Sequence, residues 1–520
     1  MKKLFFISSF ILSTLVSIGQ HPGYLDTGFG NQGIATFDVS GLSNSISAMK
    51  PTTGGIISAG TSSEWEGSRG FLLKTDTEGN IDNSFGTNGK VDFDFGGDNS
   101  YVNDMVVLTD GRILVCGISE EAGNTSIGLA KFTSEGQPDP LFGYSGTLIV
   151  DLGAYETANS VVLSNNKFLI TGSYDNGADM DVLVMRFLAN GSVDNSFGTE
   201  GKVIVDLNNN SEDAPKGMIA SSNTYTIASY ALHNDYDAIA LIQLNTDGNL
   251  VSGFGTGGIS VYDGMQILSG IIFAETAISR DLLGRFYVSG RFEGIEGDDP
   301  AIIRFQSNGA PDNYFGNYGL AVYQIPGDNV FKCLMVQPDG YIIAAGSSNS
   351  GNISTLILRA EPGGAPDPGF GFGNGYAIHQ LGAGNSQYDV ANCMLPQNSY
   401  TRILLGGSAN TATENTDAII SAYYSDLSIN SSFENVSSPL IAYSDPGNSN
   451  LVVIKGISKP GQKIVQIYCA DGKKVFEGKA VENSGEMRVK PETKLTPGVY
   501  IVRVSGSSFS ETMKLLIDGR

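Results

Sequence analysis

The chain reads as short runs of alternating apolar and polar positions, interrupted by glycine and aspartate turns. In one stretch, Gly89-Lys90-Val91-Asp92-Phe93-Asp94-Phe95 alternates as a strand, and Asp104-Met105-Val106-Val107-Leu108 supplies a second. The dipeptide Asp110-Gly111 marks a hairpin. After it, 112–118 is nearly all apolar and β-branched, as in a strand covered on both faces, and 126–132 alternates again. The same third-strand pattern, ending in glycine, recurs at 54–60, 168–172, 341–346 and 402–407. No segment sustains a helical period with caps, so helices are not expected.

The punctuation of these runs repeats. Phe-Gly-x-x-Gly begins at Phe29, Phe85, Phe142, Phe197, Phe254 and Phe315, where chance gives about 0.4 matches. Two degenerate copies follow, at Phe370-Gly371 with its last glycine one place late at Gly375, and at Phe433, which has lost both glycines. The steps between phenylalanines are 56, 57, 55, 57, 61, 55 and 63 residues. Eight marks bound seven units of four strands, each unable to cover both of its apolar faces alone.

The fold class this predicts is all-β: a seven-bladed β-propeller of four-stranded blades over 25–435, with an open β-solenoid as the alternative. An aspartate stands three places before the phenylalanine in six copies, Asn430 in another, and Val251 alone breaks the rule. These side chains are read as turn caps, the phenylalanines as wedges between units, and the glycines as sites where a Cβ does not fit. The strand at 34–39 is expected to share a blade with the last strand, 417–424, and so to close the ring.

The motif Asp-x-Ser-Phe-Gly-x-x-Gly, best preserved at 82–89 and 194–201, is followed by a strand and an Asp-Gly hairpin such as Asp339-Gly340. This pattern resembles the delta-60 repeat, a bacterial β-propeller repeat of unknown function. The resemblance implies the fold and brings no catalytic residues with it.

The two ends of the chain read differently. Lys2 and Lys3 precede an apolar run from Leu4 to Val16, and Ser17-Ile18-Gly19 suits a signal peptidase, so 1–19 is expected to be a signal peptide. No other run approaches the length of a membrane span. The stretch 436–447 reads as a linker through Ser437-Ser438-Pro439 and Asp445-Pro446-Gly447-Asn448, and 448–520 holds short strands at sandwich spacing.

In this last part Val465-Gln466-Ile467-Tyr468 precedes Asp471-Gly472-Lys473. Leu495-Thr496-Pro497-Gly498-Val499-Tyr500-Ile501-Val502-Arg503-Val504 and a closing Lys514-Leu515-Leu516-Ile517 follow. Residues 448–520 thereby resemble the type A C-terminal sorting domain of the bacterial type IX secretion system. The resemblance implies a small immunoglobulin-like β-sandwich, the type IX machinery as partner, and a protein secreted or attached to the outer surface of a Gram-negative cell. A small adhesion or glycan-binding module is the alternative.

Charge narrows the partners. The formal net charge of -23 argues against nucleic acid and anionic membrane surfaces, which require basic patches. Charged residues are only 16% of the chain, below the roughly 25% of an average protein, while 67 glycines suit many tight turns. Four scattered cysteines form no CxxC pair, and Cys333 and Cys393 lie at equivalent positions one unit apart, read as small buried residues rather than a disulfide.

The chemistry-bearing residues form no catalytic set. His21, His233 and His379 recur at no equivalent position, no nucleophile elbow is followed by Asp and His, and Trp65 reads as a packed or rim residue. Acidic residues do recur, in the loops between third and fourth strands: Asp175, Asp179 and Asp181, then Asp235 and Asp237, then Asp298 and Asp299, with glutamates in other units. Such loops are read as a solvated acidic rim, with a ring of carboxylates able to hold calcium as the alternative. No other cofactor is expected.

The function classes left are a non-catalytic extracellular binding module, expected as a monomer with an unknown ligand, a propeller enzyme acting on polysaccharide as lyase or hydrolase, and a structural surface protein.

Overall fold

In a computed structural model the chain is described over 21–517, apart from 40–42, 65, 208–211, 234–235, 264–270, 273–276, 294–296, 383–387, 411–414, 426–440, 446–447, 456–460, 470–473, 483–485, 492–494, 496–497 and 507–508. The expected signal peptide, Trp65 and the degenerate copy at Phe433 lie outside the described residues. The fold is all-β; among the described residues the only helical turns are two 3-10 segments, Gly371–Gly373 and Asn398–Tyr400.

Antiparallel sheets follow one another along the chain; over 34–424, among the described residues, four of them have four strands, one has five and one has eight. The second unit runs through Asn99–Val107, Ile113–Glu121, Asn124–Phe132 and Thr147–Val150, each strand beside the next. The third does the same through Ser160–Ser164, Lys167–Asp175, Met180–Phe187 and Lys202–Val205, and the fourth through Ala214–Ala220, Thr224–His233, Tyr236–Asn245 and Ile259–Tyr262.

The first and last repeats meet. Ile34–Phe37 pairs antiparallel with Thr416–Tyr424, with Ile34 opposite Ser421, and a single parallel pairing of Ser43 with Thr416 joins the first and last units into one eight-stranded sheet. One apolar cluster accordingly mixes Phe29, Ile46, Met49 and Phe71 with Leu404, Ile420 and Ala422.

The phenylalanines are the wedges expected from the sequence. Phe29, Phe85, Phe142, Phe197, Phe254, Phe315 and Phe370 are all buried. Six of these rings press on a glycine of the following unit, so that a Cβ at Gly191 would meet the Phe142 ring at 3.0 Å. The last of the six contacts runs from Phe370 back to Gly23 near the start of the chain. The glycine after each phenylalanine has its own reason: Gly198 has φ of +55°, and a Cβ there would lie 2.2 Å from the Lys202 carbonyl oxygen. Its N–H donates to Asp247 O in the next unit at 2.8 Å, and Gly371 N–H donates in the same way to Pro22 O at 3.0 Å.

The extra residue in the last of these motifs is absorbed locally. Phe372 takes a left-handed φ of 55° within the 3-10 turn, and Gly375 N–H still reaches Phe370 O at 3.0 Å, as Gly33 N–H reaches Phe29 O at 2.8 Å.

The motif aspartates cap their turns, as in Asp194 Oδ1 accepting from Ser196 N–H at 3.2 Å and Asp367 Oδ1 accepting from Gly369 N–H at 2.8 Å. Each also meets a cation: Asp82 with Lys74, Asp139 with Lys131, Asp194 with Arg186, Asp312 with Arg304, Asp367 with Arg359 and Asp26 with Arg402. Arg186 and Arg304 lie 4.7 Å above the rings of Phe197 and Phe315. Where Val251 replaces the aspartate, Gln243 replaces the cation, while Val251 N–H still donates to Gln243 O at 2.9 Å. Charge and partner are lost together, which avoids a stranded buried ion.

A further link was not legible in the sequence. The first strands of five units carry a register shift, for example between Val102 and Asp104 and between Ala391 and Cys393. Asn103, set at such a shift, donates through Nδ2 to Ala158 O at 2.9 Å, and Asn392 to Ile46 O at 3.0 Å, across neighbouring units.

Residues 441–517 form two sheets with one shared core. Ile441–Asp445, Asn448–Lys455 and Glu486–Val489 make the first, and Lys474–Glu482, Gly461–Cys469, Gly498–Gly506 and Phe509–Ile517 the second. Val452 and Ile454 of one face Val465, Ile467 and Val502 of the other. The linker expected at 436–447 is corrected at its C-terminal side, because Ile441–Asp445 is a strand paired with Asn448–Lys455. Pro446-Gly447 suits a hairpin turn as well as a linker.

Phe197→Ala is expected to cost about 3–5 kcal/mol, read as a lowered melting temperature; an unchanged value would overturn the wedge. Acid stability gives a second check. Burial by itself would raise the Asp194 carboxyl, but hydrogen bonds from Lys167, Ser196 and Arg186 outweigh it and hold the group far below its ordinary 3.8. A carboxyl depressed on folding contributes stability above its unfolded pKa, and that contribution is lost as pH falls through the folded value. The melting temperature is therefore expected to fall steeply below about pH 4, and Asp194→Asn to flatten that fall.

Candidate functional site

Successive antiparallel strands place their turns alternately at two edges of each sheet. One edge holds the Asp-Gly hairpins and the Phe-Gly turns, where the motif cations are spent on aspartates and rings. The opposite edge holds the acidic hairpins and the crossovers that lead to the next unit.

The structure distributes the predicted acidic residues unequally. Asp175 Oδ1 accepts from Gly177 N–H at 2.7 Å and serves its own turn. Asp237 accepts from the Tyr230 hydroxyl at 2.6 Å, and Asp298 pairs with Arg291 at 2.7 Å. Burial raises the Asp299 carboxyl, against a long hydrogen bond from Ile325 N–H, and neighbouring Asp298 adds to the rise. Asp235 lies outside the described residues. Asp175, Asp237 and Asp298 thus have partners close to their own hairpins.

Asp179 and Asp181 do converge, with Asp206. Each of the three offers an oxygen, and these atoms all lie within 4.8 Å of one another. Asp179 and Asp181 are buried at the start of Met180–Phe187, while Asp206 is exposed just after Lys202–Val205. Asn176 organises the pair, its Nδ2 donating to Asp179 Oδ1 at 2.6 Å and to Asp181 Oδ2 at 2.9 Å. The other oxygens, Asp179 Oδ2 and Asp181 Oδ1, are buried without a hydrogen-bond partner.

Asp213 stands at the far end of the crossover, just before Ala214. It is 1% exposed; Oδ2 accepts from Leu207 N–H at 2.8 Å, while Oδ1 has no partner. Burial pushes its carboxyl up to about 7, and the charges of Asp206, Asp181 and Asp179 act in the same direction. Asp181 is also raised, first by burial and then by Asp206 and Asp179. Among the described residues no lysine or arginine forms an ion pair with this cluster. Bare buried oxygens, one each on Asp179, Asp181 and Asp213, can share protons or take up a hard cation. Sequence spacing could pair Asp179 with Asp181 on one strand. It gave no reason to include Asp206 and Asp213, which belong to the crossover.

A second concavity opens at the same edge two units after the fourth. It encloses about 700 Å³ and is lined by Ser348, Ser350, Gly351, Asn352, Ser354, Ile378, His379 and Gln380. His379 lies mostly within the fold, its Nε2 2.9 Å from Gly23 O, and burial lowers its pKa against that hydrogen bond. His21 packs on Phe372, and the side chain of His233 lies outside the described residues. Cys116, Cys333 and Cys393 are free thiols, and burial pushes Cys393 up to about 12. No helix among the described residues is long and apolar enough to cross a membrane.

Three segments, 108–142, 163–197 and 337–370, match a family model described as a domain of unknown function (DUF5122) beta-propeller. Each segment begins near a second-strand hairpin and ends at the motif phenylalanine or close to it. No curated protein matches the sequence. Among solved structures the chain is similar to a polysaccharide lyase, with TM-score 0.44 and 10% identity over 78% of this chain and 94% of that one. It is similar also to Sqt1 from Chaetomium thermophilum, with TM-score 0.37 and 13% identity over 75% of this chain and 98% of that one. A GH32 beta-fructofuranosidase of Bombyx mori follows with TM-score 0.26 and 10% identity over 80% and 87%. Likeness at this level carries nothing about chemistry.

Asp213→Asn removes a buried charge beside an all-acid cluster while leaving an oxygen for Leu207 N–H. In EDTA at pH 8 the variant is expected to melt higher than the parent; a lower melting temperature would mean that the charge is compensated.

Proposed function

We propose that the chain is an exported, non-catalytic binding module, a seven-bladed β-propeller of four-stranded blades that holds a glycan at its crossover edge. The observation that carries this reading is the open cavity of about 700 Å³ lined by three serines, an asparagine, a glutamine and a histidine. That volume lies within the roughly 300–1,000 Å³ of small-molecule sites. Hydroxyl and amide groups match the alternating donors and acceptors of a neutral polyhydroxylated ligand.

Seven blades are supported by the return of the Phe370 contact to Gly23 and by the pairing of Ile34–Phe37 with the last unit. Export is supported by the signal-like first nineteen residues and by the sorting motifs in 448–520, whose two sheets suit a small immunoglobulin-like sandwich. In this reading the type IX machinery takes up that domain and delivers the propeller to the cell surface or the medium.

Incubating the purified mature chain with a panel of polysaccharides tests the binding reading. Retention of a glycan without product, weakened by Asn352→Ala or Gln380→Ala, is expected. New reducing or unsaturated ends would place the protein among polysaccharide-degrading enzymes instead. Mass spectrometry of the extracellular protein is expected to find 448–520 removed, and an intact C-terminus would count against the sorting role.

A further inference from the structure

The crossover from the third unit to the fourth gathers more negative charge than its surroundings balance. Asp179 and Asp181 stand at the start of a strand, Asp206 leaves the outer strand of the same sheet, and Asp213 immediately precedes Ala214, the first strand residue of the next. Asp213 N–H donates to Met180 O at 2.7 Å, which draws the end of the crossover against the hairpin. Leu207 N–H donates to Asp213 Oδ2, which ties its beginning to its end. The backbone therefore holds all four acids in place from two separate segments.

We propose that Asp179, Asp181 and Asp206 bind one calcium ion, which ties their hairpin to the start of the crossover between the third and fourth units. Two buried oxygens, one each from Asp179 and Asp181, have no hydrogen-bond partner. Their sister oxygens are held by Asn176 Nδ2, so the bare ones have fixed orientations. Buried carboxylates without a cation carry a large desolvation cost, which a bound divalent ion removes.

Donor chemistry and spacing select the ion. All donors are oxygens, which favours a hard cation over zinc or copper. Calcium–oxygen bonds of about 2.3–2.6 Å put opposed ligands roughly 4.6–5.2 Å apart. Oxygens of Asp179, Asp181 and Asp206 that all lie within 4.8 Å of one another fit around such an ion without backbone movement. Magnesium, at about 2.0–2.1 Å and with strict octahedral demands, usually keeps several waters and takes only one or two carboxylates, so a site with three carboxylates suits calcium better. Exposed Asp206 supplies the way in and leaves room for water ligands. The site shares no residue with the glycan cavity, so the two proposals stand or fall separately.

Calcium chloride is titrated into the EDTA-stripped mature chain at pH 7.5, with calorimetry and thermal melting as readouts. Saturable binding and a melting temperature higher by at least about 3 °C are expected. Asp206→Asn and Asp181→Asn should each lose that rise; because Asp206 is exposed, its variant keeps the test decisive if the other fails to fold. No response of the parent chain would overturn the proposal. So would a rise retained in the Asp206 variant, or an equal rise with magnesium alone.

Discussion

The contact on which the rest of the structure depends is a phenylalanine ring laid against a glycine of the following unit. It recurs from the Phe29–Gly79 pair to the Phe370–Gly23 pair. A fully buried phenylalanine is worth several kcal/mol, whereas a buried ion pair gains little over a well-packed apolar substitute. The repeats sort their residues accordingly. All seven described copies keep the ring, while the aspartate and its cation are exchanged together for Val251 and Gln243 in one. The ion pair therefore orients a turn whose stability comes chiefly from the ring.

This arrangement divides the charge of the molecule between its edges. Lysine and arginine side chains are drawn to the motif edge, where Arg186 meets Asp194, the Phe197 ring and the Thr246 carbonyl at once. Few cations remain for the crossover edge, and a chain with net charge -23 leaves carboxylates there without counter-ions. The unpaired cluster at Asp179, Asp181 and Asp206 is one consequence. The same edge carries the hydroxyl-lined cavity around Ser348, so the face that varies between units is also the one offering chemistry to a ligand.

Much of the fold was legible because it repeats. The Asp110-Gly111 hairpin, the turn-capping aspartates, the buried phenylalanines and the pairing of 34–37 with the last strand all follow from local chemistry or from the unit period. The register shifts beside Asn103 and Asn392 were not legible, since a one-residue bulge leaves no mark on an alternation that already tolerates small and polar residues. The strand at 441–445 was hidden for a related reason, because Asp445-Pro446-Gly447-Asn448 has the composition shared by hairpins and linkers.

The period, the strand-and-turn order and the identity of the wedge were written in the order of residues, because those depend on interactions between residues close in the chain or equivalent between units. Which acids meet depends instead on contacts between distant segments. Asp175, Asp179, Asp181, Asp237, Asp298 and Asp299 look alike as loop carboxylates, yet a turn N–H, a tyrosine or an arginine occupies several of them. Asp179 and Asp181 are instead joined by Asp206, more than twenty residues further along. That grouping depends on contacts between separate segments, such as Asp213 N–H donating to Met180 O, which no local pattern of charge encodes.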